Sequence, residues 1–372
     1  MTTRPLASRD VQPPEALQDS DLSLERAIAL RLVILVLAAF AACVGNDFVT
    51  WDDDVNFVAN PFFLGLGLNQ LRWAWTTYWL GVYQPIGWVI LELQSAVGGL
   101  KPAVYHVVSV AIHTATILAL FQLLDVLLEK AAGGKLPKDQ RLIGCGLAAG
   151  IFAVHPLRVE VVAWASCQPY LPCALFAILA VRAYVRDAPE PEQAPASRVG
   201  PSHRLWWLSA WLWLLAALLS KAVALGVPVA LVVLDVYPLR RIGPGRWWDP
   251  PARRVYLEKL PFFLLSLVFV LIAYRAKASA GQFQSVQEFG VFDRVAQSCS
   301  AVMFYLEKSL VPLGLCAYYP APRPVNPTSL PMVLSLVGTL GISLGFWLLR
   351  QRMPGLLAAW VVFLAILAPN LG

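Results

Sequence analysis

The chain has 372 residues, of which 58% are hydrophobic and only 14% carry a charge. Its mean hydropathy of +0.62 excludes a disordered protein, a coiled coil and an ordinary soluble enzyme, because long apolar runs between short polar stretches are typical of helices that cross a bilayer. The formal net charge of +6 does not indicate nucleic-acid binding, since the basic residues crowd into a few loops, as in proteins whose loop charges set membrane orientation.

The hydropathy pattern predicts an all-α, polytopic membrane protein. The first 26 residues are rich in Pro, Asp and Glu and predict a disordered cytoplasmic lead, followed by an uncleaved membrane anchor. Several apolar segments are shorter than the roughly 20 residues that a span needs, so they must extend into flanking residues. The strongest spanning candidates are 27–44, 104–128, 142–154, 170–186, 205–219, 222–236, 260–274, 332–349 and 355–371.

Two further segments, 85–98 and 295–312, decide the topology, because each would reverse the orientation of everything after it. The segments 129–141, 240–254 and 350–353 are rich in Lys and Arg, which favours the cytoplasmic side. The loop after the first span holds mainly aspartates, which favours the outer side. These assignments agree only if neither segment crosses, so we expect about nine spans, in a range of roughly 9–11, and two interfacial or re-entrant helices on the outer face.

The domain organisation follows from this topology. A single transmembrane domain is expected over 27–372. It has an outer acidic loop with interfacial helices at 45–103 and a second outer loop region at 275–331. The segment 187–204 has five prolines or glycines among acidic residues, which predicts a flexible cytoplasmic linker.

An acidic run, Asp52, Asp53 and Asp54, follows the first predicted span within a few residues, so its carboxylates lie close to the membrane surface. Three adjacent acids repel one another, and this crowding is expected to raise the pKa of at least one of them. A carboxylate with a raised pKa is suited to act as a general base near neutral pH. The alternative interpretation is a solvated acidic turn or a helix N-cap.

Two basic positions are candidate phosphate ligands. The run from His155 to Glu160 lies where an apolar helix ends, and buried charges at a membrane boundary are costly unless they pair or serve a site. Arg158 can bind two phosphate oxygens, or it can reach to the interface and pair with Glu160. Lys221 interrupts two apolar segments with no acid beside it, and is equally well explained as a marker of the turn or as a phosphate ligand.

Other polar and aromatic residues are interpreted as structural. Asp235 should cap its helix or pair with Arg240. His106 and His113 share a helix face, but they have no carboxylates at metal-ligand spacing, so we expect packing contacts. The aromatic residues of 45–84 suit the headgroup layer or stacking on sugar rings, and interfacial anchoring is the commoner role. The six cysteines are interpreted mainly as small buried hydrophobic residues.

Several short motifs follow one another in a fixed order. They are Phe48-Val49-Thr50-Trp51-Asp52-Asp53-Asp54, Tyr83-Gln84-Pro85-Ile86, Tyr105-His106, His155-Pro156-Leu157-Arg158-Val159-Glu160 with Ala163-Trp164, Ser220-Lys221, Leu234-Asp235 with Pro238-Leu239-Arg240, Glu258-Lys259-Leu260-Pro261 and Tyr319-Pro320. In this order they resemble the membrane part of the TPR-bearing transmembrane O-mannosyltransferases and their bacterial relatives. The resemblance extends over about residues 44–323.

The resemblance implies a GT-C glycosyltransferase, with a multi-spanning helical bundle and an acidic first outer loop. Asp52 and Asp53 would be the catalytic acidic pair, one of which deprotonates the acceptor hydroxyl while the other orients it or holds a cation. Arg158 and Lys221 would bind the donor phosphate. No cofactor is assigned, and a divalent cation is left open. The residues that would support the site are Asp54, His155, Glu160 and Tyr319.

The expected reaction transfers a mannose-like hexose from a polyprenyl-phosphate donor to an acceptor hydroxyl, with inversion at the anomeric carbon. The other expected partners are a protein or glycan acceptor and membrane lipid, with no nucleic acid. The expected location is a membrane that the chain crosses several times, with the site on the outer or lumenal side. The compact loops favour a bacterial inner membrane over an endoplasmic reticulum membrane.

The chain departs from the family pattern in three places. Gln168-Pro169-Tyr170 stands where the family usually has Arg-Lys-Asp, and Ser109 replaces the Asn between the two helix histidines. The sequence stops at Gly372, just after an apolar run, and shows no TPR repeats of the kind that follow the membrane part in the family. A shortened form of the family protein is therefore one expectation. These departures favour, as the alternative, a non-catalytic scaffold or degenerate transferase. A transporter is disfavoured, since the ionisable residues gather at the ends of the spans rather than at midplane.

Overall fold

The computed structural model describes residues 14–188, 201–282, 290–320 and 325–371. Within these residues the fold is all-α, with short 3₁₀ or π turns between the helices and no strand, as the apolar pattern predicts. The helices are α1 Pro14–Phe40, α2 Leu68–Thr76, α3 Pro85–Gly98, α4 Pro102–Ala132, α5 Lys138–Val154, α6 Val159–Ala163, α7 Tyr170–Asp187, α8 Pro201–Ser220, α9 Val227–Val236, α10 Pro250–Ser279, α11 Val291–Leu310, α12 Leu330–Leu348 and α13 Pro354–Leu367.

Five of the helical segments are long and apolar enough to cross a membrane, which agrees with a membrane protein. They are Ser23–Gly45, Pro102–Ala132, Ala165–Arg186, Pro250–Ser279 and Leu330–Gln351. A sixth candidate is α5 together with the turn and short helix that follow it, which meet at a bend of 58°. Many large apolar side chains of α10 and α12 point outward, and this is the surface that lipid would cover.

Three helix groups form the main cores. The first joins α7, α8, α9 and α10 around Leu214, Leu218 and Phe262. The second joins α1, α4 and α5 around Val36 and Ile117. A smaller, mainly aromatic core lies beneath the acidic run, where side chains of the first loop pack against α3 and the start of α4. This aromatic core holds the acidic run against the helix ends.

Polar contacts group the helix ends at two ends of the molecule, here named the Asp52 end and the Arg241 end. α4 reaches both, because its Tyr105 backbone contacts Gln168 at the first and its Asp125 contacts Arg141 at the second. Twenty helical residues separate these two contacts, which is roughly 30 Å. The contacts of the Asp52 end are Asp53–Ser166, Gln84–Lys221, His155–Ser309 and Leu80–Gln282, and those of the Arg241 end are Asp125–Arg141, Tyr184–Asp235 and Arg241–Glu258.

The structure corrects several predicted boundaries. Of the 26 residues for which the sequence predicts a disordered lead, residues 14–26 lie in α1. Pro14 suits the first position of a helix, and Leu, Ala and Glu favour its continuation. Residues 1–13, and residues 189–200 of the predicted linker, lie outside the described part. The predicted span 260–274 is the middle of a longer helix that includes Pro261. The segment 85–98 is a helix with the predicted bounds, and 295–312 is helical over Val291–Leu310.

Candidate functional site

The acidic run is fixed to the turn just before α7 through Asp53. Only 1% of the Asp53 surface is exposed. One of its carboxylate oxygens accepts hydrogen bonds from the backbone N–H of Ser166, at 2.9 Å, and from the Ser166 hydroxyl. The other accepts from the backbone N–H of Val49, at 3.0 Å. Both oxygens are therefore occupied, and Asp53 ties the chain after α1 to a segment more than a hundred residues away.

Asp52 has a different environment from its neighbour. Its side chain is half-buried and accepts no hydrogen bond from any residue that the structure describes. Partial burial raises the pKa of Asp52, and the nearby carboxylates of Asp53 and Asp54 raise it further, while Lys221 acts in the opposite direction. Asp54 is exposed and accepts a hydrogen bond from the backbone N–H of Val55 at 2.9 Å. Of the three acids, Asp52 combines an unoccupied carboxylate with a raised pKa.

Lys221 lies at the break between α8 and the turn before α9, where the chain leaves helical geometry. Its ammonium donates to Oε1 of Gln84 at 2.8 Å and lies 4.7 Å from the centre of the Tyr170 ring. It forms no ion pair with any described residue. Burial lowers the pKa of Lys221 to about 8, with Asp52 among the groups that oppose this. The ammonium is thus held in place by neutral groups and keeps its charge for an anion.

Close helix contacts bring Gln84 and Lys221 together. Gly87 on the first turn of α3 faces Pro169 and the carbonyl of Ser220, and a Cβ at position 87 would lie 2.9 Å from the Pro169 side chain and 3.1 Å from that oxygen. Glycine therefore lets α3 lie directly on the α7 and α8 ends. Asp52 and Lys221 therefore lie at the same end of the molecule, where each charge shifts the pKa of the other, but the two side chains form no ion pair in the described part of the chain.

The run from His155 to Glu160 turns the chain at the same end. His155 accepts from the backbone N–H of Leu157 at 3.3 Å, and its Nε2 lies 3.1 Å from the Ser309 carbonyl at the end of α11. The Arg158 guanidinium lies 4.7 Å from the centre of the Phe152 ring. Its Nε is buried and has no hydrogen-bond partner among the described residues.

Arg158 does not form the ion pair with Glu160 that one interpretation of the sequence expected. Glu160 is exposed, and one of its carboxylate oxygens lies 4.0 Å from Sγ of Cys167, which follows the Ser166 that holds Asp53. The charges of Glu160, Asp52 and Asp53 all act on this thiol. Glu160 is therefore near the acidic run, while no carboxylate in the described ranges lies within ion-pair distance of the Arg158 guanidinium.

The segment after α11 contributes aromatic residues to this end. The Tyr318 ring lies 6.2 Å from the ring of Trp51, next to Asp52. Tyr319 is engaged within its own segment: its hydroxyl accepts from the backbone N–H of Cys316 at 2.9 Å, and its ring packs on Phe304 at 4.8 Å. Tyr318, which the sequence analysis did not select, thus contacts the residue before the acidic run, whereas the contacts of Tyr319 are with Cys316 and Phe304.

Two of the three departures from the family pattern contact each other. Gln168 donates to the hydroxyl of Ser109 at 2.9 Å and to the carbonyl of Tyr105 at 2.8 Å. Its amide also pairs reciprocally with that of Gln94 on α3. All of these side-chain groups are buried. A satisfied, neutral network therefore occupies the position where the resemblance would place cations.

The sequence analysis missed residues whose importance depends on distant contacts. Ser166 holds Asp53, and no local pattern marks it. Glu92 on α3 is fully buried, and neither of its carboxylate oxygens has a hydrogen-bond partner among the described residues. Burial raises the pKa of Glu92 to about 7. In the sequence Glu92 is recognisable as the single acid within the apolar segment 85–98.

A second polar cluster lies at the Arg241 end, and it corrects the expected partner of Asp235. Asp235 pairs with Arg241 at 3.1 Å and with Lys259 at 2.6 Å, not with Arg240. It also accepts from the hydroxyl of Tyr184 at 2.8 Å. The chain turns after α9 so that Arg240 points outward and its neighbour points inward. The cluster joins the ends of α7, α9 and α10 and has the structural role expected of Asp235.

The histidines of α4 and the cysteines are placed among packing residues. His113 lies 3.0 Å from the Ala153 carbonyl, and His106 is buried without a hydrogen-bond partner among the described residues. All six cysteines are free, with Cys316 exposed. In the described ranges, no group of three or more His, Cys, Asp or Glu side chains is spaced to hold a metal ion.

Comparison with known proteins adds no relative from which a role could be transferred. No protein-family model, no curated protein and no solved structure matches this chain.

Proposed function

We propose that the protein is an integral membrane glycosyltransferase that moves a mannose-like hexose from a polyprenyl-phosphate donor to an acceptor hydroxyl. The observation that carries the proposal is the presence of an acid and a cation at the same end of the molecule. Asp52 is an acid with an unoccupied carboxylate and a raised pKa. Lys221 is a cation that neutral groups hold in place. A base for a hydroxyl and a cation for a leaving phosphate are the two groups that this transfer needs.

The topology of the proposal has nine spans. The five long apolar segments, the bent pair after α4 and three shorter apolar helices, Trp207–Ser220, Ala222–Val236 and Pro354–Asn370, add up to this number, and α3 and α11 are left as interfacial helices. The Lys- and Arg-rich loops lie toward the Arg241 end, which the positive-inside rule assigns to the cytoplasm. The Asp52 end then faces outward or into the lumen. A bacterial inner membrane is favoured, with the endoplasmic reticulum as the eukaryotic counterpart.

In the proposed mechanism Asp52 takes the proton of the acceptor hydroxyl as its oxygen attacks the anomeric carbon. The bond from that carbon to the phosphate oxygen breaks, and the electron pair leaves with the lipid phosphate. In this proposal Lys221 binds the phosphate and stabilises its charge, and Arg158 is the second cation that binds the same anion. Asp53 orients the acidic run through Ser166. Displacement in a single step inverts the anomeric configuration.

A second candidate is a degenerate transferase that binds the lipid donor without turnover. The observation that favours it is the neutral network of Gln168, Gln94 and Ser109, where the resembled family has cations. This network leaves fewer positive charges near Lys221 for a leaving phosphate. Such a protein would keep donor binding and lose transfer.

The test is a transfer assay on the full chain in lipid nanodiscs, with a polyprenyl-phosphate mannose donor and peptide and glycan acceptors, read by mass spectrometry. Asp52→Asn should lose at least a hundredfold in rate, the usual contribution of a positioned base, and retain donor binding. The matched control is Asp47→Asn, an exposed acid of the same loop, which should be as active as the original protein. Donor binding without transfer would support the degenerate transferase, and absence of donor binding would refute both.

A further inference from the structure

The Arg241 end contains a large basic cleft that the proposed reaction does not use. Its volume is about 1120 Å³, and its wall is formed by the chain after α4 and the chain after α9. Three cations line it: Lys130, Arg240 and Arg246. None of them forms an ion pair or side-chain hydrogen bond with a residue in the described part of the chain. The one lining carboxylate, Glu129, is 3.5 Å from Arg141, so the cleft keeps a net positive charge.

An apolar groove adjoins this cleft. It has a volume of about 430 Å³ and runs between α4, α5, α9 and α13, with leucines, alanines and glycines forming most of its wall and Val, Pro, Tyr and Cys side chains the rest. Pro238 lines both the groove and the cleft. On α5 the groove is open at Gly144, where a Cβ would meet no other atom within 4 Å. A ligand could therefore place a charged part in the cleft and an apolar part in the groove.

The loop beside the cleft has residues typical of a membrane–water interface. Trp247 and Trp248 follow Arg246 and expose 42% and 77% of their surfaces. Exposed tryptophans next to basic residues commonly sit at the level of lipid headgroups. The groove follows α4 and α13 away from this level, which is the direction that an acyl chain takes from its headgroup.

We infer that the cleft and the groove together form a binding site for an anionic phospholipid of the leaflet at the Arg241 end. The phosphate would lie among Lys130, Arg240 and Arg246, and one acyl chain would lie in the groove beside Gly144. Basic pockets between membrane helices are known to bind acidic lipid headgroups. The site is roughly 30 Å from the Asp52 end, by the length of α4 between the two. It therefore shares no residue with the proposed reaction.

The test measures lipid binding by native mass spectrometry of the detergent-purified full chain. The probes are phosphatidylglycerol, phosphatidylcholine with the same acyl chains, and inorganic phosphate. Phosphatidylglycerol should bind most tightly. Arg240→Ala combined with Arg246→Ala should weaken it about twenty-five-fold, at about fivefold for each basic residue near a headgroup. Gly144→Leu should weaken it about tenfold, because the new side chain displaces about two methylenes of the acyl chain.

Matched controls separate this site from general effects. Arg352→Ala removes an exposed cation of the same end that lines neither cavity, and Gly341→Leu adds a side chain at another helical glycine with open space around it. Both should bind phosphatidylglycerol as the original protein does. Equal affinity for the two lipids, equal effects of the site and control variants, or phosphate binding as tight as lipid binding would each overturn the inference.

Discussion

The two acids at positions 52 and 53 should respond in opposite ways to the same substitution. In Asp53→Asn one oxygen becomes an NH₂ group that faces an N–H donor, either that of Ser166 or that of Val49. At least one charge-assisted hydrogen bond is lost and a buried donor is left unpaired, so the free energy of unfolding should fall by about 2–4 kcal/mol. Asp52→Asn removes no hydrogen bond, and its effect on stability should be within about 0.5 kcal/mol.

The assay is thermal unfolding of both variants in detergent, combined with the transfer measurement. Asp52→Asn should have the same melting temperature as the original protein and lose transfer activity, whereas the melting temperature of Asp53→Asn should be several degrees lower. Ser166→Ala should reproduce part of the Asp53→Asn destabilisation, since it removes one of the three donors. Equal melting temperatures for the two Asn variants would refute the division of roles, as would full transfer by Asp52→Asn.

Two further predictions concern pH. Because burial lowers the pKa of Lys221 to about 8, the affinity for the donor should weaken as the pH rises through 8. Lys221→Arg keeps its charge at these pH values, so its donor affinity, measured in a binding titration at each pH, should stay constant to higher pH. An identical decline in both proteins would contradict the assignment. Burial raises the pKa of Glu92 to about 7, above the value near 4.3 of an unfolded chain, so the free energy of unfolding should fall as the pH rises from about 4.3 to 7. The gain in unfolding free energy from Glu92→Gln should therefore be about 3 kcal/mol larger at pH 8 than at pH 5. Equal gains at both pH values, measured by chemical or thermal unfolding, would contradict this.

Local sequence was sufficient for some elements and insufficient for others. The helix at 85–98 was predicted with the observed bounds because Pro85 and the glycines after its last turn mark both ends. The acidic run was located by its position after an apolar segment. Which acid is buried was not predictable, since the answer depends on Ser166, 113 residues further along the chain.

The basic residues show the same limit. Arg240 and Arg241 are adjacent and chemically identical, so charge pattern alone could not indicate which one pairs with Asp235. The backbone decides: residue 240 has a positive φ of 53°, and the turn directs Arg241 to Asp235 and Glu258. Similarly, the hydrogen bond between Gln168 and Ser109 joins α4 to the turn before α7, and nothing in the sequence around either residue predicts the other as its partner.

The length of α4 has a mechanical consequence. At 31 residues the helix is about 46 Å long, whereas the hydrocarbon layer of a bilayer is about 30 Å thick. The excess must be accommodated by tilting or by projecting into the headgroup regions. The first turns of α4 contact Gln168, and Asp125 near its last turns contacts Arg141. A thinner bilayer that increases the tilt of α4 would therefore move both ends of the molecule together. The protein would work best in membranes of matching thickness.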